Sequence, residues 1–281
     1  MQHLYFFMEN ILEYSYASFP LPCGKNVYIS ADAALSPVLE TLRAAHKMQN
    51  IPLGEHLLHA AFDPEQEKNV VFSPAHSVTY RHEAVTPTAQ AARARNIMFL
   101  SLLPLLQNSQ LFLFHGGLMV DGNGDGCIFC GPSGVGKSTA VTKSGKIWEI
   151  LADDLMYLSF SDGRLFARPG PTWSTYLAGK ERLVECDIKR VVEVKNIVIL
   201  SRIGKFGIHR LTGQKARLML ANSFVEMVSW HSSMALRDEN LTTALRKVAF
   251  EGMMMCNGNQ QIYCLTSDVD TDITPFLQQI M

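Results

Sequence analysis

Charge is scarce in this chain and almost balanced. Only 18% of its 281 residues are Asp, Glu, Lys or Arg, and 25 basic against 26 acidic side chains leave a formal net charge of −1. No global field draws such a chain to nucleic acid or to an anionic bilayer, and neither is expected as a partner. Closely spaced cysteines are also lacking. The six stand at 23, 127, 130, 186, 256 and 264, without the density that staples a small secreted fold. No basic segment precedes the apolar opening MQHLYFFMENILEYSY, which carries Glu9 and Glu13, so no signal peptide is expected. Nor is an apolar run long enough for a bilayer. Ile97 to Leu106 reads IMFLSLLPLL, well short of the ~20 residues a span needs and broken by Pro104, and predicts a buried helix. Internal repeats and low-complexity segments are missing as well. The expected location is the cytoplasm.

What is abundant is apolar character: hydrophobic residues make up 47% of the chain, enough at this length for one large domain or a main domain with an appendage. Residues 1–86 predict an N-terminal accessory region. YFFMENILEY, NVYIS and NVVFS are strand-like, and LSPVLETLRAAHKM has helical periodicity with Ser36 placed to cap it. Residues 87–281 predict the main domain. TPTAQAARARNIMFLSLLPLL predicts a helix; LFLFHGGLMVDG predicts strand, glycine break and strand; DGNGDG is a tight polar turn and GCIFC a further strand. KSTAVTKS opens a helix that Gly145 closes after barely two turns, and IWEILA leads straight to Asp153 and Asp154. Asp154 to Phe166 predicts a hairpin around SDGR. RPGPTWSTY is a Pro/Gly loop, NIVILSRI a strand, and LTGQKARLMLANSF (capped through Thr212) and DENLTTALRKVAFEG are helices. Strands and helices alternating with hairpins predict an α/β fold with a mixed sheet.

The segment GPSGVGKS, Gly131 to Ser138, satisfies G-x-x-x-x-G-K-[ST] in full, with a strand entering and a helix leaving. In that chemistry Gly131, Ser133, Gly134, Val135 and Gly136 wrap backbone N–H groups around phosphate oxygens. Lys137 reaches the outer phosphates, the Ser138 hydroxyl ligates magnesium, and Thr139 completes the loop. The implied cofactors are ATP and Mg2+. Asp153 and Asp154 either terminate a strand and start a turn or face the metal and the terminal phosphate; adjacency to the loop favours the second reading. Two adjacent strand residues point different ways, so one suits the metal and the other the incoming nucleophile. His115, before two glycines, is either a packed polar residue or the partner of an aspartate.

Other features have blander readings. CIFC has the spacing of a zinc or redox pair, but a strand points Cys127 and Cys130 to opposite faces, and buried free thiols are expected. RIGKFGIHRLTG, 202–213, is either a glycine-hinged loop over the site or, preferred, a solvated turn. EGMMMC fills core, and DVDTDIT, without the glycine of a calcium loop, is a polar tail.

The ordered set His115-Gly116, Val120-Asp121, the loop from Gly131 to Ser138, and Leu151-Ala152-Asp153-Asp154 resembles the catalytic segment of the HPr kinase/phosphorylase family, whose core is shared with phosphoenolpyruvate carboxykinases. The resemblance implies a mixed-sheet P-loop kinase core like the C-terminal domain of HPr kinase, with an N-terminal accessory region. It implies Asp153 as the base that activates an acceptor hydroxyl, His115 as its partner, Lys137 as the phosphate-binding cation, and Ser138 with Asp154 on the magnesium side. The implied activity is ATP-dependent transfer to a serine-like hydroxyl of a protein, peptide or small molecule. Relatives of this type act on serine in small peptides or on free serine. Thr139 stands where the family carries glutamate, and its later glycine-rich phosphorylase loop is not found, so reversal is not implied. Arg168, in RPGPTW, and Arg202 are candidate phosphate or substrate contacts. Ring-forming relatives make a homo-oligomer one expectation. The competing reading is a non-catalytic, nucleotide-dependent scaffold in a maturation pathway.

Overall fold

The computed structural model describes residues 14–20, 26–40, 55–62, 64–65, 70–73, 77–81, 86, 89–90, 94, 111–170, 190–235, 250, 260–268 and 270–280. The chain divides into two compact units, Met1–Pro104 with His231–Leu241, and Leu105–Trp230 with Thr242–Met281. The helix expected over 97–106, the loop from Pro171 to Tyr176, most of DENLTTALRKVAFEG and the segment EGMMMC lie outside the described residues.

The first unit carries a five-stranded sheet of β1 (Tyr14–Pro20), β2 (Asn26–Asp32), β3 (Glu55–Phe62), β4 (Val70–Ser73) and β5 (Ser77–Tyr80), in the order β1-β2-β3-β5-β4. Its outer pairs are antiparallel, and β3 is parallel to both β2 and β5. Leu35, Val38 and Leu39 are buried where a 3-10 turn, Ala33–Leu35, runs into the helical residues 36–40, matching the apolar period of that stretch.

The second unit is built on β6 (Leu111–His115), β7 (Gly117–Val120), β8 (Gly126–Cys130), β9 (Glu149–Ala152), β10 (Leu155–Ser161), β11 (Arg164–Pro169), β12 (Val192–Ser201), β13 (Gly207–Leu211) and β14 (Gln261–Thr266). Helices α1 (Lys137–Ser144), α2 (Gly213–Ala235, of which residues 213–230 belong to this unit) and α3 (Thr274–Leu277) complete it among the described residues. The strand order is β6-β10-β11-β12-β8-β7-β9, with β14 beside β12 and β13 beside β14. Among the described residues of this unit, only the pairings of β12 with β8 and with β14 are parallel.

Two long, bent strands run through this sheet. β6 and β7 are separated by Gly116 alone, β9 and β10 by Asp153 and Asp154 alone, and the antiparallel ladder passes through the break without changing register. Leu155 faces His115, Gly116 N–H donates to the Asp154 carbonyl at 2.8 Å, and Ala152 faces Leu118. One half of this double strand continues through β11, the other through β8, and both routes meet on β12. The result is a mixed α/β fold around a curled, largely antiparallel half-barrel.

Local sequence explains the tight points. The β10–β11 hairpin turns on Asp162 (φ 51°) and Gly163 (φ 74°), the two positive-φ residues that the twist of a two-residue hairpin loop demands. In DGNGDG the Asp121 carboxylate accepts from the backbone N–H groups of Asn123 (2.8 Å) and Asp125 (3.0 Å), fixing the polar turn. The core joins α1 and α3 to the β7, β8, β12 and β14 strands through Met119, Phe129, Val141, Trp148, Leu265 and Leu277. Burying each such side chain contributes about 1.5–3 kcal/mol. Buried Ala216, Leu220 and Phe224, at helical spacing on α2, form a second stripe whose Phe224 ring lies 4.7 Å from that of Phe114 on β6.

Two expectations are corrected. The stretch expected as a solvated turn contains β13, an edge strand whose ends, Gly207 and Leu211, are buried while His209 and Arg210 are exposed. In DVDTDIT, expected as a polar tail, Asp268, Asp270 and Asp272 are exposed, but Ile273 is buried in the core, as are Leu277 and Ile280 beyond it. Among the described residues no helix is long and apolar enough to cross a membrane.

Candidate functional site

The glycine-rich loop spans the turn between β8 and α1. Gly131 (φ 139°), Gly134 (φ 73°) and Gly136 (φ 104°) all occupy backbone regions that L side chains avoid. Gly131 is required twice over, because a Cβ there would stand 2.7 Å from the Leu200 carbonyl oxygen. Gly136 is the N-cap of α1 and contributes no side-chain cap. Lys137 is 8% exposed, and its Nζ donates to the carbonyls of Gly131 (2.7 Å) and Pro132 (3.2 Å), so its ammonium lies inside the loop. Ser133, Gly134 and Thr139 are exposed, and Val135, Gly136 and Ser138 half-buried.

The two glycines after His115 bring the rest of the site to the loop. A Cβ on Gly116 would fall 2.5 Å from the Phe129 carbonyl oxygen, and one on Gly117 only 2.1 Å from Val141 Cγ2. Bare backbone at these positions therefore lets β8 and α1 close on the bent double strand. Phe129, on the strand that enters the loop, faces Gly117, and the ladder then steps from Leu118 to Ala152, beside Asp153. Asp153 thus lies two strand spacings, about 10 Å, across from the loop-bearing strand.

Asp153 is 2% exposed, and its Oδ1 is sealed from solvent. His115 Nε2 stands 3.0 Å from Asp154 Oδ1, with side-chain exposures of 27% and 12%. His115 thus contacts the second aspartate. Arg202, just after β12, reaches the loop: its Nη2 donates to the Gly134 carbonyl at 3.3 Å. Arg168 lies on β11 opposite Tyr157, half-buried, and Gly170 N–H donates to the Leu155 carbonyl at 2.9 Å. That bond holds the start of the Pro/Gly loop against the residue after Asp154.

Cys127 and Cys130 are buried free thiols on β8. Burial pushes the Cys127 thiol well above its usual range, and Cys130 and Asp121 push it further. Protonated thiols are poor nucleophiles and poor metal ligands. Among the described residues no group of three or more His, Cys, Asp and Glu side chains is arranged to hold a metal ion. Ser138 and Asp154 supply hard oxygens, the donor type of a magnesium site completed by phosphate and water.

Residues 90–280, more than half of the chain, match the family described as SynChlorMet cassette protein ScmC. The chain belongs to this family. No curated protein matches it. The span shared with the ScmC family takes in His115, the glycine-rich loop, both aspartates and the C-terminal segment packed beneath α1.

One tie was not foreseen from sequence. Lys143 Nζ, two turns into α1, donates to the Thr271 carbonyl at 2.8 Å and pins that C-terminal segment to the helix. A lysine 128 residues from its acceptor leaves no local signature.

Proposed function

We propose that this ScmC-family protein is an ATP-dependent kinase with a core of the HPr kinase type, transferring the terminal phosphoryl group to a serine-like hydroxyl of a protein, peptide or small molecule. The observation that carries the reading is the ladder from Phe129 through Gly117 and Leu118 to Ala152. It sets a buried aspartate and a histidine-paired one beside a glycine-rich loop. Phosphoryl transfer asks little covalent chemistry of a protein; it needs positioning, charge neutralisation and a group that takes the acceptor's proton.

In this reading the first-turn amides of α1 and the Lys137 ammonium bind the phosphates, and Lys137 exchanges its loop carbonyls for phosphate oxygens. Asp153 accepts the proton of the hydroxyl as its oxygen bonds to the terminal phosphorus. The bond from that phosphorus to the bridging oxygen breaks, and the nucleoside diphosphate leaves. His115 orients Asp154, and Ser138 with Asp154 would hold magnesium. Bound there, magnesium neutralises charge on the phosphate oxygens. Arg202, already at the loop, is placed to add positive charge on its exposed side.

The test incubates the protein with terminally labelled ATP and magnesium, with cell extract and free serine as parallel acceptors. Label moving to a discrete acceptor supports the kinase. ATP binding with neither transfer nor hydrolysis favours the nucleotide-dependent scaffold.

A further inference from the structure

The carboxyl ends of the parallel strands β8, β12 and β14 lie together: Ile199 faces Cys130, and Ser201 faces Thr266. Ligands of parallel sheets bind at such an edge, among the loops that leave it. Here an open cleft is formed by the glycine-rich loop, the end of β12, the segment after β14 and the side of α1. Its floor is apolar, from buried Ala140, Leu200, Leu265 and Ile273. Its rim is polar: Thr139 on α1, Ser201 at the end of β12, and Ser267 and Asp268 after β14. The Lys143–Thr271 hydrogen bond joins its two walls.

The glycine-rich loop thus has two flanks. Asp153 and Asp154 lie on the β7 and β9 side of β8, and the cleft lies on the β12 and β14 side. The geometry points to this cleft as the seat of the nucleoside end of the nucleotide, with Asp268 accepting hydrogen bonds from its ribose hydroxyls or base N–H groups. The inference rests on the kinase reading above in one respect: the terminal phosphate faces the aspartates. A triphosphate laid over the loop in that sense leaves its nucleoside on the opposite flank, next to Thr139. Thr139 belongs both to the loop's helix end and to the cleft rim. A flat base covers the apolar floor, while its polar edge and the sugar meet the rim.

Calorimetric titration of the full chain with ATP, GTP and inorganic tripolyphosphate, all with magnesium, tests this. The parent protein is expected to bind at least one nucleoside triphosphate about tenfold more tightly than tripolyphosphate. Asp268→Ala and Ser267→Trp are each expected to remove about tenfold of that advantage while leaving tripolyphosphate affinity unchanged. Asp268 is exposed on the rim, so its truncation keeps the test open if the tryptophan variant does not fold. Comparison of ATP with its dideoxyribose analogue separates ribose from base contacts to Asp268. Equal affinity for nucleotide and tripolyphosphate, or variants that change nothing, overturns the cleft assignment and leaves the phosphate loop standing. A parent protein that binds none of the three overturns both.

Discussion

His115 Nε2 and Asp154 Oδ1 stand 3.0 Å apart at the bend where β6 passes into β7 and β9 into β10. Both residues flank a ladder held in register by Gly116 N–H on the Asp154 carbonyl, so backbone and side chain fix the second aspartate together. Replacing His115 by Ala should leave the ladder intact and release the carboxylate. The expected outcome is a loss of transfer of about 10²-fold with little change in melting temperature. Steady-state kinetics beside a thermal melt checks it.

Gly117 carries the approach of α1 to the bent strand, since an added methyl group would meet Val141 Cγ2 at 2.1 Å. Gly117→Ala is expected to destabilise the protein by about 1–3 kcal/mol and to weaken ATP binding by shifting the loop's helix. Adding Val141→Ala should recover part of both losses. Denaturant unfolding of the single and double variants measures the recovery.

The loop was legible because each of its residues answers a local conformational need. Three glycines with positive φ, a lysine reaching back to loop carbonyls and a helix start are all encoded within eight consecutive positions. The Asp162-Gly163 hairpin was legible for the same reason. Edge strand β13 was not, because Lys205, His209 and Arg210 give its neighbourhood the polarity of a solvated turn, while its pairing with β14 is a long-range event. The burial of the C-terminal segment was not legible for a related reason. Its aspartates dominate the eye, yet Ile273, Leu277 and Ile280 recur at helical spacing and bury. The cleft has no local sequence signature because separate stretches of the chain build it.

Glu149 on β9 is joined to Arg190 by two parallel hydrogen bonds, one of them 2.6 Å, and that bonding, more than the arginine's charge, holds its carboxyl below the usual range. A depressed carboxyl stabilises the fold above its unfolded value of ~4.3, and the contribution is lost as pH falls through the lower folded value. The side chain is 56% exposed, so solvent screening limits the effect. Glu149→Gln should cost under about 1 kcal/mol at neutral pH, with the difference from the parent closing as acid is added. Denaturant unfolding at pH 7 and pH 3 reads it directly.

Cys127 is buried, and its thiol is held well above the usual range by that burial. Site-resolved alkylation at neutral pH should find Cys127 and Cys130 unmodified in the native protein and rapidly modified in denaturant. Fast native labelling of either would mean that β8, and the loop it carries, opens frequently.

In the proposed kinase, the buried Asp153, two strands across from the glycine-rich loop, serves transfer rather than nucleotide binding. Asp153→Asn keeps the side chain's shape and removes its capacity as a base. Measured side by side, phosphoryl transfer should fall by about 10²–10⁴-fold while ATP affinity stays within about threefold of the parent, well under 1.4 kcal/mol. Transfer that survives the substitution, or ATP binding that is lost in parallel with it, would contradict the account.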